Sequence, residues 1–564
     1  MTSPASVPAS VPASGAARSG AGLVLLVLAA SQFLMTLDSS VMNVSMATVA
    51  ADLGTTITGI QTAITLYTLV MATLMITGGK LGSIMGRRRA MGIGMVIYAA
   101  GSFVTGISPN LPVLLLGWSF LEGVGAALIM PAIVALVAAN FAPEKRSGAY
   151  GMVAAASAVA VAAGPLIGGA MTTYLSWRYV FFGEVVIAIA ILATLRKLRD
   201  TPPVPGRIDY FGSLLSVVGL GLLVYGVLKS SEWGLVVPKP NAPSLFGASL
   251  TVWFVGAGLL VVYGFLHWER HLEARQDADP SALPPLVRPS MLGVRQLTGG
   301  LSMFFAQFMI QAGVFFSIPL FLSVVLGLSA LETGVRLVPL SIALLVAAVG
   351  IPKVWPRANP RRVVRFGLLC MIVGIGFLVA GMDPQADAAV VTIPMVLMGL
   401  GLGALASQLG AVTVSAVPED QAAEVGGLQN TATNLGASMG TALIGSVLIA
   451  TLSTAALTSV ASSEVISAPV KAQLTTDLAS GVPFISDAQV QAELTAAGVS
   501  TTDAQEITAI NADARLQALQ VAFAAAGLVA ILALFLTGRI PVVPPGSPET
   551  AEPEPAPPGT AGPA

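Results

Sequence analysis

The sequence predicts an all-α membrane protein with fourteen transmembrane helices. Three observations predict it. Of the 564 residues, 55% are hydrophobic and only 10% are charged, against roughly 25% charged in soluble domains, and the mean hydropathy is +0.83. Apolar stretches of about 20 residues, the length that crosses a bilayer as a helix, recur along the whole chain. Basic residues gather in alternate loops, as they do in proteins that cross a membrane repeatedly. Helices satisfy their own backbone hydrogen bonds, so they are the natural spanning element. A net charge of −1 leaves no basic footprint for a nucleic acid. The single cysteine, Cys370, excludes an intrachain disulfide and reads as a packing residue.

The elements follow in order. Residues 1–21 contain a Ser-Val-Pro-Ala repeat and read as a disordered cytoplasmic tail. The apolar stretch 22–43 is too long for a signal-peptide core and is read as a retained first helix. Spans then follow at 60–79, 90–108, 112–139, 148–174 and 178–196, completing an N-terminal six-helix bundle over 22–200. Two additional spans, 210–229 and 246–266, and a cytoplasmic linker occupy 201–296. A C-terminal bundle over 297–539 takes spans 297–326, 331–351, 363–382, 389–414, 422–452 and 518–538. Its long external loop, 453–517, is rich in Ala, Ser and Thr and holds fragments that predict short helices, such as 487–498. The tail 540–564 is Pro-rich and reads as disordered. Placing both termini in the cytoplasm puts 21 of the 27 Lys and Arg on the inner side and five outside. The basic turns around Gly79–Arg89 and Gly350–Arg362 echo each other, as a parallel duplication of six-helix units would require.

Three carboxylates lie where water should not reach. An acid at mid-membrane costs about 2.5–3.5 kcal/mol on insertion scales, so such residues are rare and serve ion or substrate movement. At ~1.5 Å rise per residue, Asp38 lies roughly 8 Å from the outer end of its span, Glu184 roughly 9 Å and Glu122 roughly 15 Å. All three fall in the first six helices. Burial favours the protonated form of a carboxyl. A group that takes a proton on one side and loses it on the other can couple proton entry to substrate exit. Asp38 and Glu122 are therefore the expected titrating pair, with Glu184 as a third proton-coupling candidate on a helix expected to be peripheral.

Several local patterns coincide. Leu37-Asp38-Ser39-Ser40-Val41-Met42-Asn43-Val44 resembles the first-helix motif of the fourteen-helix drug–proton antiporters of the major facilitator superfamily. The segment from Gly79 to Arg89, with Gly86, Arg87 and Arg88, resembles that superfamily's GxxxDRxGRR loop. Gly151 and the run Gly164-Pro165-Leu166-Ile167-Gly168-Gly169 resemble the antiporter motif of helix 5. Ser176-Trp177-Arg178 resembles the SWR that opens helix 6, and Ser329-Ala330, Gly334 and Pro339 resemble the pattern of helix 10. The resemblance covers roughly 22–450 and the last helix. It implies two six-helix bundles of major facilitator type with two extra helices between them. It also implies proton-driven export of organic compounds, and gating by the glycines and arginines just named. The chain departs from the pattern at Ser83 (an acid in the family) and Ile84 (a base). It departs again at Ser119 (an arginine), Glu122 (a glutamine), Ala160 (a glycine) and Glu184 (an asparagine).

Proline removes a backbone donor and glycine allows close approach, so Gly164-Pro165 predicts a kinked helix packed tightly against the other half. Gln307, Gln311, Gln408, Asn430 and Asn434 are uncharged polar groups spread through the second half. Together with Arg336 they are the candidate cavity residues, and Glu332 stands one turn before Arg336 as an i,i+4 partner. A largely apolar cavity with few polar anchors suits amphipathic substrates. His267 and His271 share a helix face, but their order is not that of a zinc-binding HExxH, and no metal or other cofactor is expected. No clustered nucleophile and base points to an enzyme, and no phosphate-binding loop points to ATP. The leading expectation is a monomeric, proton-coupled exporter of organic compounds in the plasma membrane. The alternatives are a dedicated exporter of one endogenous metabolite and a membrane sensor without transport.

Overall fold

The computed structural model describes residues 15–543 except 142, 201–202, 204–205, 240–241, 280, 384–385, 418–421 and 479–481. The tails expected at 1–21 and 540–564 lie mostly outside the described residues, although the first helix already begins at Gly15. The N-terminal half is α1 (Gly15–Asp52), α2 (Ile57–Met85), α3 (Arg87–Gly106), α4, α5 (Pro143–Tyr174) and α6 (Arg178–Leu195). Helix α4 runs through Leu111–Leu114, a wider π segment at Leu115–Glu122, and Gly123–Asn140. Two inserted helices follow, α7 (Tyr210–Trp233) and α8 (Leu250–Ala278), joined by the small hairpin β1 (Ser244–Leu245) and β2 (Ala248–Ser249). The C-terminal half begins with α9 (Arg295–Leu320, ending in a π turn at Phe321–Val325) and α10 (Ala330–Val354). It continues with α11 (Pro360–Gly381), α12 (Thr392–Val414) and α13 (Ala422–Ser462). Two short helices, α14 (Ala468–Leu478) and α15 (Asp487–Ala496), precede the last span, α16 (Thr501–Leu536).

Thirteen of these helices among the described residues are long and apolar enough to cross a membrane. The fourteenth expected span, 90–108, is α3. Three arginines in its first turn and four glycines lower its hydropathy, yet it is a 20-residue helix packed between α4 and α6. Local chemistry sets the helix starts. Thr56 caps α2 by accepting the Gly59 N–H, Asn110 caps α4 at the Val113 N–H, and Ser329 with Glu332 forms a reciprocal capping box on α10. Glu332 thus commits its carboxylate to the cap rather than to an ion pair with Arg336.

The two halves use one pairing scheme. In the first, α1 packs on α5, α2 on α4, and α3 on α4 and α6. In the second, α9 packs on α13, α10 on α12, and α11 on α12 and α16. The basic-turn echo in the sequence therefore corresponds to a duplicated bundle. The halves meet along two seams, α2 against α13 and α5 against α10. Helix α7 leans on the first seam, contacting both α2 and α13, where Val224 and Leu228 pack with Ala442. Helices α14 and α15 and the start of α16 bury a separate small core of Val460, Ile466, Val490, Leu494 and Ile507. Arg515 ties it to the bundle by pairing with Asp487 and donating to the Val324 carbonyl at 3.0 Å.

Candidate functional site

Close crossings of small residues bring the three acids together. Gly101 of α3 faces Gly117 and Glu122 of α4, and a Cβ at Gly101 would lie 2.7 Å from the Glu122 Cγ. Gly94 and Gly125 make a second such crossing. Small residues at both positions let the backbones approach closely enough for short polar side chains to meet. The π segment widens the helical turn and carries Trp118, Ser119 and Glu122 into the bundle; π turns of this kind recur at functional positions.

Asp38, Glu122 and Glu184 form one cluster. Each offers an oxygen, and those oxygens lie within 4.8 Å of one another. All three residues are essentially inaccessible to solvent. The Trp118 indole N–H donates to Asp38 Oδ1 at 2.8 Å, and the Thr105 hydroxyl donates to Glu122 Oε1 at 3.1 Å. The Tyr98 and Ser102 hydroxyls both donate to Glu184 Oε2, at 3.0 and 3.2 Å. The second oxygens, Asp38 Oδ2, Glu122 Oε2 and Glu184 Oε1, lack a well-formed hydrogen bond from a protein donor. Among the described residues no Lys, Arg or His pairs with the cluster. Two like charges at 4.8 Å repel by about 3–4 kcal/mol at an effective dielectric of 20, so the cluster cannot hold three charges cheaply.

The cluster lies deeper than the sequence implied. Helix α1 continues past Asn43 to Asp52, which leaves Asp38 about 21 Å from the helix end at ~1.5 Å per residue. Glu184 is not peripheral: α6 packs on α3 and aims it at the other two acids. The cluster sits inside the N-terminal bundle rather than at the seam between halves. Tyr67 of α2 stacks on Trp118 at 5.0 Å between ring centroids, with its hydroxyl buried and unpartnered. Tyr67, Tyr98 and Trp118 were invisible as site residues in the sequence because aromatics in apolar helices read as packing.

The seams close one end and open the other. At the outer end a Cβ on Gly169 would lie 2.6 Å from the Ala330 carbonyl oxygen, and Gly334 rests directly on the Pro165 carbonyl. The Leu331 N–H donates to the Thr173 hydroxyl at 3.1 Å, and Ser341 donates to the Val161 carbonyl at 3.1 Å. On the other seam, Gln61 donates to the Thr441 and Ala442 carbonyls at 3.1 and 3.3 Å, and Ser438 donates to the Thr65 carbonyl at 2.9 Å. At the inner end a cavity of about 210 Å³ opens between α2, α4, α13 and the segment 284–288. Gly79, Lys80, Arg87, Pro131 and Asn430 are among its walls. The seams are thus shut at the end that carries Gly169 and Ala330 and open at the end that carries the α2–α3 turn.

A family model described as Major Facilitator Superfamily matches residues 28–441. The chain belongs to the Major Facilitator Superfamily. It is a multi-pass membrane transporter that carries small organic substrates, and not an enzyme. A puromycin resistance protein of Streptomyces alboniger is 30% identical over 74% of this chain and 80% of its own length. A tetracenomycin C resistance and export protein of Streptomyces glaucescens is 28% identical over 74% of each chain. A methylenomycin A resistance protein of Bacillus subtilis is 28% identical over 75% of this chain and 87% of its own. Among solved structures, a bacterial homologue of the human lysosomal transporter Spinster superposes with a TM-score of 0.57, covering 92% of this chain and 98% of that one at 14% identity.

The superfamily motifs acquire physical roles. Gly86 turns α2 into α3 at φ +96°, where an L side chain would be strained. Arg87 donates to the Gly79 carbonyl at 2.7 Å. The acid missing at Ser83 has a substitute that the sequence did not disclose: Asp200, after α6, accepts the Arg88 N–H at 2.9 Å and lies 3.8 Å from its guanidinium. Ser83 itself donates to the Lys80 carbonyl at 2.7 Å. Trp177 and Arg178 both donate to Asp52, and Arg178 also reaches the Ser108 carbonyl, so the SWR motif clamps the outer ends of α1, α3 and α6. In α5, Gly164 and Gly168 pack on Ser40 and Val41 of their own half. Of the glycines in this run Gly169 faces the other half, and the Pro165 carbonyl lies against Gly334 of α10. Gly151 lies in α5, with its surroundings outside the described residues.

Two of the candidate cavity residues, Asn430 and Asn434, are hydrogen-bonded neighbours on α13. Of Gln307, Gln311, Arg336, Gln408, Asn430 and Asn434, Asn430 lines the inner cavity. Asn434 is buried and donates to the Asn430 carbonyl at 2.9 Å. Gln307 is buried with its carbonyl unpartnered, Gln408 donates to Ser407, and Gln311 and Arg336 are half-buried on α9 and α10.

Proposed function

We propose that this protein exports small, amphipathic organic compounds across the plasma membrane in exchange for protons, with Asp38, Glu122 and Glu184 as the proton site. The observation that carries the reading is the buried cluster of three acids without a basic partner, inside the half whose helices form both seams. A proton taken up or released there changes the charge of a core from which α1, α2 and α4 all run to the seams. Relatives named for resistance and export support the outward direction. Export fits both termini on the cytoplasmic side and a monomer as the working unit. The glycines of the α2–α3 turn and of α5, with Arg87 and Arg88, serve the movement between states.

The test uses inverted membrane vesicles with ethidium as the transported probe. Accumulation is expected with an imposed proton gradient and is lost when the gradient is collapsed. In Asp38→Asn and Glu122→Gln, gradient-driven accumulation is expected to fall at least tenfold. Normal accumulation in both amides, or uptake that ignores the gradient, would overturn the reading. Relatives named for one compound, such as tetracenomycin C, favour a second reading of a single-substrate exporter. Competition of ethidium transport by a panel of unrelated compounds separates the two.

A further inference from the structure

We infer that the hairpin joining the two inserted helices is a lipid anchor: its apolar tip, with Phe246 foremost, lies among the phospholipids of the bilayer leaflet beside it. Residues 234–249 connect α7 to α8, yet they hold one charged residue, Lys239. That charge is turned inward, its ammonium donating to the Ser231 carbonyl at 2.7 Å. The side chains turned outward are apolar. Leu235, Val236, Val237, Leu245 and Phe246 are between 45% and 88% exposed. A contiguous apolar face of this kind marks a surface with an apolar partner. The face is also rigid. The Ser249 N–H donates to the Val236 carbonyl at 2.9 Å and its hydroxyl to the Gly234 carbonyl at 2.7 Å. The Trp253 indole donates to the Leu245 carbonyl at 3.0 Å.

The turn itself supplies an independent observation. Leu245 pairs with Ala248, and the two residues between them, Phe246 and Gly247, both have positive φ, at +53° and +77°. Such a turn favours Asn or Gly at its first central position. Phe246 is the one non-glycine residue with positive φ among the described residues, a conformation costly for a bulky side chain. Within the chain the ring gains little in return: it meets the Trp253 ring at 5.8 Å and is otherwise 88% exposed. Backbone strain that holds an aromatic outward is accounted for by a partner outside the chain. Position decides which partner. Trp233 closes α7 and Trp253 stands in the first turn of α8, and tryptophans at the ends of spanning helices sit at the membrane–water interface. The hairpin tip stands at that level, where an apolar face settles among headgroups and upper acyl chains. Helix α8 packs chiefly on α7, so an anchor at their junction steadies the inserted pair against the bilayer.

The test places an environment-sensitive nitrobenzoxadiazole fluorophore at Val237→Cys, in a Cys370→Ser background, and reads the full chain in nanodiscs that hold one copy each. Val237 is exposed on the same face as Phe246 and leaves the turn untouched. Phospholipid spin-labelled high on its acyl chain is expected to quench the fluorophore roughly threefold more than aqueous iodide does. At Ala492→Cys, exposed on α15, the order is expected to reverse. Phe246→Asn supplies a residue that the turn favours, so it keeps the hairpin while removing the ring. In that variant, lipid quenching at Val237→Cys is expected to fall roughly twofold or more. Stronger quenching by iodide than by lipid at Val237→Cys would overturn the inference, and unchanged lipid quenching in Phe246→Asn would overturn Phe246 as the anchor. An apolar environment present in densely loaded liposomes but lost in single-copy nanodiscs would overturn the lipid partner in favour of a second copy of this chain.

Discussion

Trp118 holds Asp38 by a 2.8 Å hydrogen bond inside the N-terminal bundle. Trp118→Phe keeps a ring to stack on Tyr67 and removes only the donor. Leaving a buried acceptor unmade costs about 1–3 kcal/mol, so thermal unfolding in nanodiscs should show a loss of that order. The pH profile of ethidium transport should shift as well, whereas Trp355→Phe, with its indole exposed after α10, should change neither. An unshifted profile with lowered stability would make Trp118 a packing residue only. The acids were legible in the sequence because a charge in an apolar helix is costly enough to stand out. Their partners were not, since Trp118, Tyr67 and Tyr98 cost nothing to bury. Nor was the convergence of the three, which depends on the Gly101–Gly117 crossing and on the π segment rather than on any local pattern.

Helices and their linkers carry a different set of constraints. The segment after α8 reads in the sequence as a cytoplasmic linker, yet part of it is held against the bundle. Glu269 is buried in α8 and accepts the N–H groups of Leu286 and Val287 at 2.7 and 3.2 Å. These two residues pack with Phe265 and against Ile76 of α2 and Leu428 of α13, so the linker wedges between the two halves beside the cavity. Glu269→Ala leaves both N–H groups unpaired at a cost of about 1–3 kcal/mol each. Chymotryptic cleavage after Leu286 should therefore accelerate roughly tenfold or more, while Glu269→Gln, whose amide oxygen still accepts, should fall between. Unchanged cleavage in Glu269→Ala would show that apolar packing alone holds the linker. The fourteen-helix order was legible because each span is long and apolar. Helix α3 is the informative exception: its glycines serve the crossings with α4 and lower the very hydropathy that marks a span.

At the scale of the whole molecule, two bundles with one pairing scheme meet along two seams that are shut at the end holding Thr173 and Leu331 and open at the end holding the α2–α3 turn. If transport needs the bundles to rock about the seams, a covalent tie across the closed end must stop it. Thr173 of α5 and Leu331 of α10 are hydrogen-bonded across that end at 3.1 Å, close enough for a designed bridge. Cys370 is the only native cysteine and is replaced by serine as background. Thr173→Cys with Leu331→Cys, oxidised, is expected to lose at least nine-tenths of ethidium transport and to regain it on reduction, while each single cysteine transports normally. Full transport by the cross-linked pair would show that the α5–α10 seam never opens in the cycle. Gly334→Leu tests the same seam from the opposite direction. Gly334 lies directly on the Pro165 carbonyl, so a side chain there should prop the outer end open. Labelling of Thr173→Cys by a membrane-impermeant maleimide should then rise several-fold. The two results together would separate a seam that moves from one that merely packs, because a passive contact would tolerate the bridge and would not be pried open by the leucine.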